Sequence, residues 1–366
     1  MQSKQHAVLI VCPYPELIAA GQRFRFEQYL PVLAAAQYSV KIAPFLDMAT
    51  MRVLYMKGHY LQKIAGVLRG FVRRSFLMFS IYKYDTVFLY REASPLGPPI
   101  FEYILFMSGV RTIYDFDDAI YLDNSSLANQ FLSLAKCPWK VSYICRNAHC
   151  VSVSVAYLAS WAKSLNENVH ILPTCIDLQY HNPESRKNRV LSGRLCVGWT
   201  GSHSTVKYLE IVRPVLANLS EKIDFDFVVI CDVDPNFSEL PNYKFVKWQL
   251  KTEILDLSQI DIGIMPSPHG EWELGKAGFK AIQYSGLGAV PVVSATGAGC
   301  EVVINGQTGY ALENTEEAWS GAISDLLSNP QKMFAMSQKA RAHVATHYSL
   351  QANTPQFLSL FSERYK

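Results

Sequence analysis

Short runs of apolar and often β-branched residues recur along the chain, and longer segments with apolar residues at helical spacing separate them. Such short runs are typical of buried parallel strands, and the longer segments are typical of helices that cover a sheet. The predicted strands of the first half are residues 7–12, 40–44, 86–90, 112–115, 149–153 and 169–172. Those of the second half are residues 195–199, 225–230, 244–246, 260–265 and 290–294. The pattern predicts an α/β protein with two doubly wound, Rossmann-like parallel sheets.

The two sets of strands indicate two domains, because a chain of 366 residues exceeds what one hydrophobic core usually supports. A polar stretch, residues 177–193, lies between the sets and has the composition of an interdomain crossing. We predict an N-terminal domain over residues 1–180, a C-terminal domain over residues 190–345, and a last helix over residues 346–366 that packs back on the first domain. Ligands of open parallel sheets bind beyond the carboxyl ends of the strands. Two such domains facing each other therefore predict a site in the cleft between them.

Charge is distributed unevenly along the chain, although the net charge is only +3. Residues 1–190 carry 20 basic and 13 acidic residues (+7), and residues 191–366 carry 14 and 18 (−4). The basic half predicts an anionic partner, either a membrane surface or a charged acceptor. The excess is too small for dedicated nucleic-acid binding, and no nucleic-acid motif is present.

One segment concentrates the positive charge. No acidic residue occurs between Asp47 and Asp85. The basic residues in between are interleaved with apolar ones and are Arg52, Lys57, Lys63, Arg69, Arg73, Arg74 and Lys83. A basic amphipathic helix lies in the headgroup zone of a membrane, where each cation contributes on the order of 1 kcal/mol; the alternative is an ordinary helix with a solvated basic face. We expect residues 52–83 to contact an anionic membrane surface, with the protein cytoplasmic and peripheral on the inner face of the cell membrane.

The eight cysteines and the apolar runs indicate the compartment. The nearest pair is Cys145 and Cys150, so no CxxC pair for zinc or redox chemistry exists. The first apolar run is too short for a signal peptide, and no stretch reaches the roughly 18 apolar residues of a spanning helix. These features favour a reducing cytosol in which most cysteines are small buried apolar residues.

Candidate chemistry in the first half begins after the first strand. Arg23 and Arg25 stand near a predicted helix start, where exposed amides add to a positive potential that favours an anion or a charged acceptor. For Arg25, binding of an anion and the alternative, an ion pair with Glu27 or solvation, are equally open.

A cluster of carboxylates follows the fourth strand, where Asp115, Asp117 and Asp118 fall within four residues. Such a cluster is unfavourable unless a cation or a hydroxyl-rich ligand lies nearby. The cluster would bind a hydroxyl of a sugar or of the acceptor. The alternatives are that it binds Mg²⁺ or that one aspartate caps a helix.

Two loops of the second half have the composition of phosphate- or ribose-binding loops. After its first strand come Gly201 and Ser202, then Lys207 near a helix start, where amides and hydroxyls suit phosphate oxygens. After its last predicted strand, Gly299 lets a backbone amide approach a ligand. Glu301 is positioned either to accept ribose hydroxyls or to complement a helix dipole.

The strongest segment is residues 266–291, which read as strand, irregular loop, helix and strand. Lys276 and Lys280 are one helical turn apart, so both ammonium groups can face a diphosphate. Gln283 follows about one turn later, where its amide suits a ribose hydroxyl. The alternative, two ordinary surface lysines, fits the glycine-rich loop ahead of them less well.

These loops resemble those of the family-4 type of retaining glycosyltransferases with the GT-B fold. In the second half the resemblance lies in Gly198-Trp199 with Gly201-Ser202, in Gly275-Lys276-Ala277-Gly278-Phe279-Lys280 running into Gln283-Tyr284 and residues 288–293, and in Glu301 before Asn305-Gly306-Gln307-Thr308-Gly309-Tyr310. In the first half it lies in Arg23 and Arg25, in residues 115–118 and in Pro173-Thr174-Cys175-Ile176-Asp177. The resemblance covers most of the chain.

The chain departs from this family at its usual pair of glutamates. The pair, eight positions apart, falls on Gly275 and Gln283 here. Glu271 or Glu273 would take the first role, and Gln283 would still bind ribose hydroxyls. The histidine common in the family's first domain also has no evident counterpart.

The resemblance implies transfer of a hexose, with retained configuration and without a metal or other cofactor, from a UDP- or GDP-linked donor to an envelope glycan or a lipid-linked acceptor. The donor diphosphate would be held by Lys276, Lys280 and amides near Gly201 and Gly299. Asp117 or Asp118 would replace the histidine. The implied catalytic residues are Asp117, Asp118, Glu273 and Lys280.

Two other functions share this two-domain design. One is an enzyme similar to nucleotide-sugar 2-epimerases, which converts the donor without an acceptor. The other is a non-catalytic module that binds nucleotide sugars. A requirement for an acceptor separates the first from a transferase, and hydrolysis or transfer of the donor excludes the second.

Overall fold

The computed structural model describes residues 5–122, 137–188, 193–297 and 299–362. The chain divides into two compact units. Unit 1 comprises Met1–Thr174 and Thr354–Lys366, and unit 2 comprises Cys175–Asn353. Each unit contains one six-stranded sheet in which every pair of neighbouring strands is parallel.

The sheet of unit 1 has the strand order β2-β1-β3-β4-β5-β6. Its strands are β1 (His6–Cys12), β2 (Tyr38–Pro44), β3 (Thr86–Tyr90), β4 (Arg111–Phe116), β5 (Cys150–Val153) and β6 (Val169–Ile171). The helices of this part of the chain are α1 (Ala20–Arg25), α2 (Leu30–Ala35), α3 (Met48–Leu54), α4 (Tyr60–Met78), α5 (Ile100–Met107), α6 (Trp139–Asn147) and α7 (Ala156–Lys163), with 3₁₀ turns at Glu27–Tyr29 and Ile81–Lys83.

The sheet of unit 2 has the order β12-β11-β10-β7-β8-β9. Its strands are β7 (Cys196–Thr200), β8 (Asp226–Cys231), β9 (Tyr243–Lys247), β10 (Ile262–Met265), β11 (Val290–Ser294) and β12 (Tyr310–Leu312). The helices are α8 (Arg213–Ser220), α9 (Glu253–Leu257), α10 (Glu271–Leu274), α11 (Phe279–Gly286), α12 (Gly299–Val302), α13 (Glu316–Ser328), α14 (Pro330–His347) and α15 (Leu350–Ser362), with 3₁₀ helices at Pro183–Asn188 and Val206–Ile211.

The prediction of two doubly wound parallel sheets is confirmed. Every residue of β3, β7 and β11 is buried, because helices cover both faces of a parallel sheet, and such strands read as continuous apolar runs. The sequence analysis did not find β12. That strand has three residues and no fully buried position, so it leaves no apolar run.

The predicted interdomain crossing packs in unit 2, and most of the last helix packs in unit 1. Residues 175–188 cluster with unit 2, where Arg186 forms an ion pair with Asp261, and residues 189–192 lie outside the described residues. The end of α15 belongs to unit 1, where Phe357 stacks on Tyr29 with ring centroids 4.0 Å apart. Residues 363–366 of the predicted last helix lie outside the described residues. No described helix has the length and apolar character needed to cross a bilayer.

Candidate functional site

The strand order of unit 2 reverses between β7 and β10, which are neighbours in the sheet. Loops that follow two such strands diverge to opposite faces and leave a crevice at the carboxyl edge. Here those loops are residues 201–205 and 266–278. They contain Gly201, Ser202, Glu273 and Lys276, and Lys207 and Lys280 follow them directly in the next helical segments.

Lys280 lies in the first turn of α11, next to this crevice. Its ammonium nitrogen is 5.2 Å from the centroid of the Trp199 ring, and among the described residues it has no hydrogen-bond acceptor and no carboxylate partner. Burial, and secondarily the charge of Lys276, lowers the pKa of Lys280 to about 8. A desolvated ammonium without an anion is unfavourable. The site therefore favours a negatively charged ligand.

Tyr284 fixes the position of α11 and thereby of Lys280, one turn earlier. Its hydroxyl accepts a hydrogen bond from the Thr200 amide (3.0 Å) and donates to the Ile264 carbonyl (3.3 Å). Its ring packs so tightly on Gly263 that a Cβ there would overlap it. The helix is thus attached to both β7 and β10.

Lys276 differs from Lys280 in having a carboxylate beside it. Its ammonium lies 3.5 Å from Glu273 and 4.8 Å from the centroid of the Tyr208 ring. The Tyr208 hydroxyl donates to the same Glu273 oxygen at 2.6 Å, and burial together with this bond raises the pKa of Tyr208. Glu273 therefore orients both groups and offsets part of the Lys276 charge, whereas nothing offsets the charge of Lys280 in the described chain.

Glycines allow the loops to close around Glu273. A Cβ at Gly270 would lie 2.6 Å from the Glu273 carboxylate, and a Cβ at Gly297 would collide with the Glu273 carbonyl. Gly297 has a φ of +62°, a region that side chains disfavour. The glycine content noted in the sequence thus reflects close packing around Glu273, with Gly270 against its carboxylate and Gly297 against its main-chain carbonyl.

The loop after β7 is exposed at its tip. Gly201 packs against Trp199, and the Ser202 hydroxyl lies 2.9 Å from that of Ser204. Lys207 is exposed, in the first turn of the 3₁₀ helix Val206–Ile211. These groups flank the crevice without internal ion pairs of their own in the described chain.

A histidine and an aspartate connect this loop to the end of β8. Both the backbone amide and the ring of His203 are 2.6 Å from Asp232. Burial opposes ionisation of Asp232, but its hydrogen bonds to His203 prevail and lower its pKa. Sequence reasoning missed this pair, since its members lie 29 positions apart and neither belongs to a motif.

The remaining second-half candidates fall into two environments. Gln283 is 5% exposed and its amide nitrogen is 3.3 Å from the His181 ring, so the structure places it below the carboxyl edge and inside the fold. Glu301 lies in the first turn of α12, which begins at Gly299, and its side chain is exposed. Of these residues, Glu301 has the side chain open to a ligand. Ala298, between the two glycines of that loop, lies outside the described residues.

In unit 1 the structure places Arg25 in the interior. Its guanidinium is fully buried and forms a two-pronged ion pair with Asp115, at 2.5 and 3.1 Å, and it also donates to the Leu172 carbonyl. Burial works against its charge, but Asp115 prevails and raises the pKa of Arg25. Arg25 is therefore paired inside the fold, with Asp115 as its partner in place of Glu27.

A second arginine, which sequence reasoning missed, holds the other two aspartates. Arg91 follows β3, donates to Asp117 at 2.8 and 3.0 Å and forms an ion pair with Asp118. Asp117 also accepts from the Tyr90 hydroxyl at 2.9 Å. Burial opposes ionisation of Asp117, yet Arg91 lowers its pKa. The positive charge that balances this carboxylate cluster therefore comes from the chain's own Arg25 and Arg91.

Two features lie beside this cluster. A Cβ at Gly21 would lie 2.9 Å from the Asp117 carboxylate, so the first turn of α1 packs directly against it. Arg23 is 8% exposed, and its guanidinium carbon lies 4.8 Å from the centroid of the Phe24 ring. The predicted residues thus form two groups, one near the carboxyl edge of each sheet.

The basic stretch, residues 52–83, is only partly a basic surface. Arg74 is buried and donates to the carbonyls of Ala93 (2.8 Å), Ala43 (2.9 Å) and Cys12 (3.2 Å). Arg73 lies 3.2 Å from Asp47, and Arg69 lies 3.9 Å from it. Arg74 is therefore not part of a basic face, because its guanidinium holds α4 on the sheet.

Comparison with known proteins identifies the fold. No protein-family model and no curated protein sequence matches the chain. Its structure is similar to sucrose-phosphate synthase from Thermosynechococcus elongatus (TM-score 0.70, 15% identity, 97% of this chain and 98% of that chain) and to a glycosyltransferase from Rickettsia africae (0.70, 15%, 99% and 100%). It is also similar to Anabaena HepE in complex with UDP and glucose (0.66, 12%, 98% and 99%). At these identities the similarity concerns the fold, and the chain has the two-domain GT-B architecture of these glycosyltransferases.

Proposed function

We propose that the protein is a glycosyltransferase that moves a sugar from a nucleoside-diphosphate donor to an acceptor hydroxyl. The observation that carries the proposal is the Lys280 ammonium, which lies at the switch point of unit 2 without a counter-ion in the described chain. A diphosphate supplies the missing charge. The GT-B architecture, whose solved examples include HepE with UDP-glucose, supports a nucleotide sugar as the source of that diphosphate.

The chemistry follows from where charge develops. As the bond between the anomeric carbon and the phosphate oxygen breaks, negative charge grows on the diphosphate and the sugar becomes oxocarbenium-like. Lys280, in the first turn of α11, and Lys276, in the loop before that helix, stabilise that charge without a metal. The acceptor oxygen bonds to the anomeric carbon, and its proton passes to the departing phosphate. This course needs no enzyme nucleophile and retains configuration.

The other donor contacts are assigned by position. Glu301, exposed on the first turn of α12, accepts hydrogen bonds from the ribose hydroxyls. The exposed hydroxyls of Ser202 and Ser204 donate to phosphate oxygens, because the Gly201 amide already donates to the Ile230 carbonyl. Lys207 adds positive potential at the same edge. Gln283 contributes through its contact with His181, which supports α11 from within.

The acceptor is an envelope glycan or a lipid-linked saccharide. Asp117 and Asp118, held by Arg91, present carboxylate oxygens beside Gly21 in unit 1, and carboxylates suit sugar hydroxyls. The exposed cations of residues 52–83 bring unit 1 to the anionic inner face of the cell membrane. The similarity of the loops to the family-4 type supports the hexosyl and retaining assignments.

A panel of nucleotides tests the donor class. Purified protein is heated with UDP, GDP and their sugars, and the melting temperature is followed by differential scanning fluorimetry. A rise of several degrees with one nucleotide, as expected for ligand near 100 times its dissociation constant, identifies the base. No shift with any of them would contradict the proposal.

Product analysis tests the reaction. Proton NMR of the product reads its anomeric configuration against that of the donor, in buffer with and without EDTA. Conversion of donor in the absence of any acceptor would indicate the epimerase-like alternative, and binding without hydrolysis or transfer would indicate the non-catalytic one.

A further inference from the structure

The outward face of α4 is apolar, and its inward face contains an arginine. The side chains that point away from the sheet are between 55% and 83% exposed and are Leu61, Ile64, Leu68, Val72 and Phe76. The buried positions of the helix are Gly66, Gly70, Arg74, Leu77 and Met78. A surface helix usually buries its apolar stripe, whereas α4 buries two large apolar side chains and exposes those five. The exposed stripe therefore needs an explanation other than the core.

The neighbouring helix α5 continues this surface. Its outward side chains are between 39% and 70% exposed and are Ile100, Tyr103, Ile104 and Met107. A groove of 420 Å³ runs between the two helices, with Phe71 and Phe79 on one side and Ile100 and Ile104 on the other. The outward residues of α4 and α5 with this groove form one continuous surface, which we call the apolar face. An apolar surface of this extent marks a site of association.

The charges around the apolar face are positive. Arg52, Lys57 and Lys83 are exposed at its margins. Among the described residues of α3, α4, α5 and the turn Ile81–Lys83, the only carboxyl group is that of Glu102, which is fully buried and accepts from the Ala93 amide. Asp47, beside the start of α3, is engaged by Arg69 and Arg73. Any partner of this face therefore meets cations at its rim.

This charge pattern selects the occupant. A second copy docked on the same face would bring two basic rims together, which costs free energy in a self-complementary interface. An anionic bilayer instead pairs its phosphates with the rim and its acyl chains with the apolar centre. We propose that the apolar face inserts into the acyl layer of a bilayer rich in anionic phospholipid, with the groove receiving one acyl chain. This inference rests on the membrane part of the proposed function and specifies insertion in place of adsorption by charge.

Vesicle binding by variants of exposed residues tests how much the apolar side chains contribute to membrane affinity. The full chain is sedimented with sucrose-loaded vesicles of phosphatidylcholine and phosphatidylglycerol. The double variant Leu68→Gln with Met107→Gln should bind on the order of 30-fold more weakly, because each lost insertion of a large apolar side chain removes a favourable transfer term. The matched control Phe334→Gln changes a side chain that is 65% exposed on α14 in unit 2, and it should bind as the parent does. Equal binding by all three would overturn the proposal.

Fluorescence quenching tests depth directly. Tryptophan is introduced as Phe76→Trp, at a position 71% exposed on the apolar face, and as Phe334→Trp for comparison. Lipids brominated on the acyl chain should quench the Phe76→Trp protein beyond the parent and leave the Phe334→Trp protein at the parent level. Quenching at neither site, with binding lost in 0.5 M salt, would overturn insertion and leave adsorption by charge standing.

Two further outcomes are separable. A dimer in lipid-free buffer that Leu68→Gln with Met107→Gln dissociates, without vesicle binding by the parent, would assign the face to a second copy and overturn the proposal. Nucleotide binding by every variant is measured in parallel, since none of the changed residues lies at the carboxyl edge of unit 2. If no variant and no parent protein bound nucleotide, the transferase assignment would be contradicted, but the vesicle-binding result would still hold.

Discussion

Replacing Lys280 by methionine should stabilise the free protein and abolish its response to nucleotide. The variant keeps the length of the side chain and removes the charge. In the parent, burial lowers the pKa of Lys280 from 10.5 to about 8, which corresponds to about 3 kcal/mol against the charged form. Because the ammonium is only partly buried, we expect about 1–3 kcal/mol of this as gained stability at pH 7.

The pH dependence of the stability difference between Lys280→Met and the parent is a second test. A lysine whose pKa is lower in the folded state destabilises the fold below that pKa, and the cost disappears as pH rises towards the unfolded value. The stability advantage of Lys280→Met should therefore be complete below pH 8 and vanish between pH 8 and 10.5. Lys222→Met, at an exposed lysine of the same unit, is the matched control.

Thermal denaturation with and without UDP or GDP measures both effects. For a unit of this size, 1 kcal/mol shifts the melting temperature by roughly 2–4 °C. Saturating nucleotide should stabilise the parent by about 3 kcal/mol at 100 times the dissociation constant, and it should leave Lys280→Met unchanged. A variant that is less stable than the parent at pH 7, or that keeps its nucleotide shift, would refute the assignment of Lys280 to an anion site.

Three other expectations follow from the same geometry. Nucleotide affinity, measured by calorimetry from pH 7 to 9.5, should fall by up to about tenfold per pH unit above 8, because Lys280 must gain a proton to bind the anion; a flat profile would contradict this. Glu273→Gln keeps the bond from Tyr208 but loses the ion pair that orients the Lys276 ammonium, so kcat should fall by about 100-fold through misplacement of that group with the circular-dichroism melting curve nearly unchanged, and an equal loss of both would indicate a structural role. Arg25→Met should cost about 3–5 kcal/mol in urea denaturation by leaving Asp115 buried without a partner, and a second change, Asp115→Leu, should recover much of it; nucleotide affinity in unit 2 should not move in either variant.

The fold was readable from local pattern. Eleven of the twelve strands of the described chain overlap predicted runs, because buried parallel strands are continuous apolar stretches that need no knowledge of their neighbours. The two lysines were identified from the sequence, but their predicted spacing of one helical turn is wrong: Lys280 lies in α11, whereas Lys276 lies in the loop before it, which Gly278 ends with a φ of +64°. The strand order, which places Lys280 at a switch point, appears only with the tertiary structure.

The ion-pair partners of the buried aspartates could not be predicted from the sequence. Arg25 and Asp115 lie 90 positions apart, and Arg91 and Asp117 lie 26 apart. No periodicity connects such residues, so the carboxylate cluster looked like a site awaiting a cation that the chain already contains. Gln283 shows the same limit: its spacing from Lys280 was correct, but only packing decides that its amide meets His181.

The attachment of α4 through Arg74 has an evolutionary consequence. Its three acceptors are main-chain carbonyls, which every amino acid possesses, so substitutions at residues 12, 43 and 93 leave the acceptors in place. The helix can exchange its outer side chains for others, and so adapt to a different surrounding, while one guanidinium keeps it fastened to the domain. We therefore expect rapid drift on the outside of α4 and strict retention of Arg74 among descendants of this sequence.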